Sequence, residues 1–586
     1  MSKLDLLIKG GKIIDGTGAP GFVADLGIKD GLIAKIGNLS DCQAEQVLNA
    51  EGKVVTPGFI EAHSHVDNTL RLFPESEGYL MQGVTTAISG NCGFSPAPLR
   101  AEEDVWMFAI WEWKVTMELI SDPYLEVADT MDFKKVMALM KKHYNLDIPY
   151  RTMAGFMKTA ESEGFSINTY PLVGHGMIRY TVMGDDFRRA ATPEEIEKMK
   201  VILRGELESG CHGMSVGLDS LPGAYAHTAE LIELAKVVKE YDALYASHCR
   251  GYTTLIDGDT NTKILEGYHE AIRIGKETGV RVHISHVMPE YQIPLDAPLE
   301  EKLAKAREVL KIIDDAIAGG VDLGFDVVSS DTGGVIYRSD LGYLLRPYYM
   351  KSGRSVEKLL ENLENPEWIA EMKDDVKTGR NIWLSPVWGP NIDASITILR
   401  CNQQEYVGKT LRSIMQEKGW DMIDAIVNIF KADPFTHARL GLGAMFAEEW
   451  TEEVLLHPLA MPSGDNVNNN LNSDYGIESP ISVYPHQNAY CYTIKYLTDL
   501  SKKMSLEEKI RHITKIPAEQ FRIMDRGTLE VGKWADIVVM TPEELKTNED
   551  FIDPRQAPDG INYVVVNGAL TIENKKHTTA KAGRFI

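Results

Sequence analysis

Apolar and polar positions alternate in short blocks at both ends of the chain. Leu6-Leu7-Ile8 and Lys12-Ile13-Ile14 precede a Gly16-Thr17-Gly18 turn. Leu26-Gly27-Ile28 is then joined to Leu32-Ile33-Ala34 by Asp30-Gly31, a dipeptide that marks a tight hairpin when it lies between apolar runs. The same texture returns in Gly532 to Val539 and in Tyr563-Val564-Val565-Val566-Asn567-Gly568. These stretches predict a small β-sandwich assembled from residues 1–55 and 525–586. Between them, strand-like runs alternate with segments of helical period, such as Glu194–Glu208, Ala229–Tyr241 and Leu299–Ala318, the pattern of a parallel sheet with crossover helices. Candidate strands end at His65, Cys92, Gly174-His175, Ser215-Val216-Gly217, His248, His286, Asp326-Val327-Val328 and Asp465. These eight ends predict an α/β fold, a (β/α)8 TIM-like barrel over residues 56–524, with its chemistry at the C-terminal ends of the strands.

Composition narrows the class. At 586 residues the chain is too long for one ordinary core, and its 44% hydrophobic and 25% charged content is that of a soluble globular protein. A formal charge of -24 argues against nucleic acid or an anionic membrane as partner, since both are held through clustered Lys and Arg. Six scattered cysteines suit reduced thiols, hence a cytoplasmic location, better than a disulfide framework. No signal sequence is evident, and no apolar stretch approaches the roughly 18 residues of a membrane span. The expected partner is a small polar substrate, and the expected assembly a homo-oligomer. Trp106, Trp111 and Trp113, in the acidic, Met-rich stretch 102–142, read as helix packing rather than as a substrate entrance.

The candidate chemistry sits at the strand ends. His63 and His65, one residue apart, project to the same side of a strand and can reach one ion. Cys92, in Gly90-Asn91-Cys92-Gly93, offers a thiolate from the next strand, and two further strands finish on Ser247-His248 and Ser285-His286. Taken singly these residues have bland readings: a hydrogen-bonded histidine, a small buried hydrophobe for Cys92, a helix cap for Asp465. Their repetition points instead to a divalent metal, which takes imidazole, thiolate and carboxylate in one pocket. Beside a metal, Asp465 can accept a proton from water and pass it to a leaving atom. His175 reads as supporting the ligands, and His269 as structural.

At these residues the sequence resembles the amidohydrolase superfamily and, within it, the D-aminoacylase (N-acyl-D-amino-acid deacylase) branch. The resemblance covers nearly the whole chain. It is carried by Pro57 to His65, Gly90-Asn91-Cys92-Gly93, Val173-Gly174-His175-Gly176, Leu221 to Ala226, the two Ser-His ends, and Asp525-Arg526-Gly527 through Ala535-Asp536-Ile537. It implies the barrel with a terminal sandwich. It also implies that Cys92, His248 and His286 hold the tighter metal, while His63, His65 and Asp465 border a second position that is sometimes empty. Zinc is the ion it implies, with manganese as the alternative and one or two ions bound. Cys92 takes the place that a carboxylated lysine fills in many relatives outside the branch, and Glu61 stands where an aspartate is usual.

Departures from the branch lie at the substrate end. D-aminoacylases hold the substrate's α-carboxylate with a lysine two residues past the strand-six histidine, a tyrosine after strand seven and an arginine beyond the aspartate. Here the first is Met288, the second lies in Val327-Val328-Ser329-Ser330-Asp331, and no arginine occurs between Asp465 and Arg511. An unpaired buried charge costs several kcal/mol, so the substrate is expected to lack that carboxylate. Arg338 or Lys351 is the alternative source of a cation. Candidate substrate contacts are Met288, Ser330, Tyr337, Arg338 and His175. The expected reaction is attack of metal-activated water on an amide or ring carbonyl. Its alternatives are C–C hydrolysis of a cyclic 1,3-dione, as in dihydrophloroglucinol cyclohydrolase, or true N-acyl-D-amino-acid deacylation. A non-catalytic scaffold would have eroded the ligand set, and all six residues stand.

Overall fold

The computed structural model describes residues 3–100, 133–251, 254–256, 259–261, 264–289, 293–329, 341–378, 392–440, 447–473, 487–550 and 553–586. Strands from both termini share one nine-stranded sheet, in which Val54–Pro57 runs antiparallel to Ile537–Met540 and so joins the two ends of the chain. The two short strands expected at the start are one, Leu4–Ile13. Its register against Phe22–Lys29 shifts between Ile8 and Gly11, and Gly10 has φ 71°, so an extra residue is absorbed there as a bulge. Asp30 and Gly31 both adopt positive φ in the predicted hairpin. Ile537, Val539 and Val565 pack with Leu6, Ile28 and Ile33, while Val538, Met540, Val564 and Val566 face the main core. Burial on both faces is why these strands read as unbroken apolar runs.

The middle of the chain supplies parallel strands in eight successive positions. Phe59–Glu61, continuing as Ser64–His65, is first; Val84–Ser89 second; Asn168–Pro171 with Val173–Gly174 third; Gly213–Gly217 fourth; Leu244–His248 fifth; Arg281–Ile284 sixth; Leu323–Val328 seventh; and Ala460–Ser463 with Asn466–Val467 eighth. Each pairs in parallel with the next. The eighth then pairs with the first, Asn466 with Ser64 and Val467 with His65, so the series of neighbours returns to its start. The connecting helices follow their sequence signals. Pro193–Glu208 starts on a capping box in which the Thr192 hydroxyl accepts from the Glu195 amide and the Glu195 carboxylate from the Thr192 amide, and Leu299–Ala318 matches the predicted span. Among the described residues no helix is long and apolar enough to cross a membrane.

Between the seventh and eighth strands the chain departs from the alternating pattern. Helices including Pro366–Lys377 and Met422–Ala432, with the strand pair Ile396–Arg400 and His437–Leu440, enclose a core of their own around Leu341, Met372, Ile426 and Phe430. Trp106, Trp111 and Trp113 lie outside the described residues.

A buried polar knot ties the terminal sheet to the third strand. The Asp536 carboxylate accepts from the Asn567 amide at 2.7 Å, from Asn168 Nδ2 at 3.0 Å and from the Arg526 guanidinium, all of them buried. Removing the cation would leave a carboxylate in a dry site. Arg526→Ala is therefore expected to cost about 3–5 kcal/mol of stability, read from the denaturant midpoint; a change within about 0.5 kcal/mol would show that the knot does not anchor the sheet.

Candidate metal centre

The ligand-type residues gather at the C-terminal ends of the parallel strands, although three of them are not strand-terminal as expected. Cys92 lies past Ser89, His286 past Ile284 and Asp465 past Ser463, where the extended segments have already ended. Their φ values are 53°, 34° and 49°, a left-handed region that non-glycine residues rarely occupy and that turns each side chain off the line of its strand. His63 likewise falls in the break between Phe59–Glu61 and Ser64–His65. The surroundings hold these turns in place. Asn91 Nδ2 donates to the carbonyls of Ser64 (3.1 Å) and Ile88 (3.0 Å), the Gly93 amide donates to Ser215 Oγ (3.0 Å), and the Asp465 amide to the His63 carbonyl (3.2 Å). Gly217 must be glycine, since a Cβ there would stand 2.0 Å from the Cys92 carbonyl oxygen.

Two overlapping groups of metal-binding atoms result. His63 Nε2 is 3.3 Å from Cys92 Sγ, which is 3.5 Å from His286 Nε2. Asp465 Oδ1 is 3.5 Å from His63 Nε2 and 3.4 Å from His65 Nε2. Within each group, His63 with Cys92 and His286, or His63 with His65 and Asp465, the ligand atoms all lie within 4.8 Å of one another. His63 thus joins Cys92 and His286, the pair to which the resemblance adds His248. The His248 ring stands edge-on to that of His286, centroids 4.7 Å apart, and its Nε2 is 3.9 Å from Asp219 Oδ2. Imidazole nitrogens, a sulfur and a carboxylate, all but His248 buried, form a donor set that fits a divalent ion.

The electrostatics are those of paired opposite charges. Burial would raise the Cys92 thiol, but His63, His248 and His286 outweigh it and hold the pKa well below the usual thiol range. Burial would depress the imidazoles; Asp465 and Cys92 instead lift His65 to about 9, and Cys92 with Asp219 lifts His248 to about 10. Asp465 stays below the ordinary carboxylate range because His63, His65 and His286 overcome its desolvation.

Behind the ligands stand residues that carried no role from sequence. Glu61 Oε1 accepts the His63 amide and Oε2 the Gly464 amide, both at 2.9 Å, so one side chain clamps the first strand to the turn that presents Asp465. Burial pushes its carboxyl up to about 8, against these two donors and Tyr492. Asp326 lies against His63, His283 and Ser463. A lone carboxylate in the otherwise apolar strand Leu323–Val328 was the signal for it.

The substrate candidates divide. Met288 is buried, and the Tyr268 hydroxyl bonds both its amide (2.8 Å) and its carbonyl (3.0 Å). His175 is fully buried with Nε2 2.8 Å from Glu230, which also faces Arg179. Lys351, the alternative source of a cation, is instead paired with Glu371 at 2.8 Å on the surface of the segment between the seventh and eighth strands. Ser330, Tyr337 and Arg338 lie outside the described residues.

The sequence pattern of the Amidohydrolase family matches residues 46–372 and 454–572, leaving out most of the segment with the separate core. The D-aminoacylase of Alcaligenes xylosoxydans xylosoxydans is 26% identical over 585 residues, covering 99% of this chain and 97% of that protein. The N-acyl-D-glutamate deacylase of the same organism is 28% identical over 574 residues, covering 97% and 93%. Among solved structures, D-aminoacylase studied for its binuclear metal center aligns with a TM-score of 0.68 at 25% identity over 99% of both chains. N-acyl-D-glutamate deacylase from Bordetella bronchiseptica, complexed with zinc and a phosphonate inhibitor, aligns with a TM-score of 0.68 at 26% identity, covering 100% of this chain and 99% of that one.

A cation entering this site must displace protons from imidazoles that hold them at neutral pH. Zinc affinity should therefore rise between about pH 6 and pH 8, about tenfold per pH unit for each proton released. Calorimetric titrations in buffers of different ionisation enthalpy would count those protons. An affinity independent of pH, with no proton release, would contradict the charge pattern.

Proposed function

The chain belongs to the amidohydrolase family, on its D-aminoacylase branch, and is a metal-dependent hydrolase; from that premise we propose that it cleaves an amide or ring-carbonyl bond in a small polar substrate lacking an α-carboxylate. The observation that carries the substrate half is Met288. Two residues beyond His286, this position offers a buried thioether, with its main-chain groups already satisfied by Tyr268. Arg179 and Arg250 are engaged by Glu230 and Glu270. A substrate carboxylate beside Met288 would lose its hydration without gaining a cation from that side chain.

The architecture in this reading is a (β/α)8 barrel with a sandwich-like domain from residues 1–55 and 525–586. The return pairing of Asn466 with Ser64 supports closure, and the shared terminal sheet supports the second domain. Residues 56–524 then form the hydrolase domain, with the segment between the seventh and eighth strands as an elaboration of it.

Zinc is the ion proposed; Cys92, His63, His248, His286, His65 and Asp465 are the residues that would hold it. When bound it supplies Lewis-acid polarisation of the carbonyl and a lowered pKa for water. Asp465, ionised beside His63 and His65, accepts the proton that the attacking water loses. It then returns that proton to the departing nitrogen of an amide, or to the departing carbon of a cyclic 1,3-dione, as the bond to the carbonyl carbon breaks. Glu61 keeps Asp465 and His63 in register through the two amides it accepts.

Asp465→Asn should retain the ion at Cys92 while kcat falls by about 10²–10⁴; metal analysis beside steady-state kinetics reads both, and full activity would remove Asp465 from the mechanism. Zinc-loaded protein should turn over cyclic amides or cyclic 1,3-diones in preference to N-acyl-D-amino acids. Efficient deacylation of the latter would overturn the reading of Met288 and return Arg338 to the role of carboxylate partner.

A further inference from the structure

We infer that Asp326 is a positioning residue of the metal centre: its carboxylate fixes His63 with Nδ1 protonated and Nε2 turned toward the ion, while His283 and Ser463 hold that carboxylate in place. The inference rests on the metal-dependent reading above.

Asp326 is fully buried among apolar strands. An ionised carboxylate survives there only if donors replace the water it loses. Three side chains face it. His283 Nε2 lies 2.8 Å from Oδ2, the Ser463 hydroxyl donates to Oδ1 at 2.6 Å, and His63 Nδ1 approaches Oδ2 to 3.5 Å. They come from the sixth and eighth strands and from the break in the first, so this carboxylate on the seventh links three elements of the series.

The consequence falls on His63. Its Nδ1 is buried and lacks a hydrogen-bond partner at ordinary length, so Asp326 Oδ2 is the acceptor within reach. Its Nε2 points the other way, toward Cys92 Sγ and Asp465 Oδ1. A neutral imidazole carries one proton, and an anionic acceptor at Nδ1 keeps that proton there, leaving the Nε2 lone pair for a cation. Without the acceptor, the Nε2-protonated tautomer would present N–H to the ion. Because His63 belongs to both groups of ligand atoms, one misplaced proton would weaken both.

Asp326→Asn keeps the size of the side chain but removes the charge and turns one of its two accepting oxygens into a donor. Zinc and cobalt affinities of the metal-freed full chain would be measured by chelator competition, with thermal unfolding alongside. A cooperatively folded variant should bind either ion about 10–100-fold more weakly than the wild type, and its cobalt absorption bands should differ from the wild type's. A purely structural hydrogen-bonding role would leave both unchanged, and wild-type affinity in a folded variant would overturn the inference. Should the variant not fold, a crystal structure of the zinc-loaded wild type decides. Ligation through His63 Nε2, with Asp326 Oδ2 drawn to hydrogen-bond distance of Nδ1, supports the inference; ligation through Nδ1, or a gap still beyond about 3.5 Å, overturns it. A wild-type protein that takes up neither ion would overturn the proposed function and this inference together, which separates that failure from the others.

Discussion

His63 is the point on which the site turns. Its Nε2 is within 3.5 Å of both a thiolate and a carboxylate, and its Nδ1 faces a second carboxylate at the same distance. Placing sulfur, carboxylate and several imidazoles together in a largely buried cluster would be prohibitive if the charges were not matched. Without an ion, imidazolium groups match Cys92 and Asp465. With one, the cation takes over that task as the protons leave. The same compensation that allows the ligands to be buried makes the pocket receptive to a divalent metal.

That arrangement places demands on the backbone. Cys92, His286 and Asp465 all adopt positive φ, which costs free energy at each residue and survives only where the surroundings determine it. Asn91 ties its turn to the first and second strands, Glu61 bridges the His63 and Gly464 amides, and Gly217 yields the space beside Cys92. Packing energy from the surrounding core supports a ligand geometry that the local chain would not choose.

Much of this was legible in the sequence, and the limits have physical reasons. The candidate ligands were readable because His, Cys and Asp recurring at the ends of apolar runs suit little besides a metal. The order of strands and the pairing of the two termini followed from period and turn residues, and Leu299–Ala318 matched its helical pattern. What local pattern could not show was long-range. That Ile8 and Gly11 belong to one bulged strand depends on a partner strand. That the rings of His63, His248 and His286 all gather about Cys92 depends on where turns after different strands meet. Asp326 reads as one polar residue in an apolar strand until His283 and Ser463 arrive from its neighbours. The core around Leu341 and Phe430 is built from helices whose sequence resembles any other amphipathic segment, so its separateness emerges only from packing.

X-ray absorption at the zinc edge of the loaded protein interrogates the ligand set itself. One sulfur scatterer at about 2.3 Å is expected, with nitrogen or oxygen ligands at about 2.0–2.2 Å, the sulfur being lost in Cys92→Ala. A zinc shell of nitrogen and oxygen alone in the wild-type protein would contradict this, because Cys92 would then stand outside the centre that these strands are arranged to form.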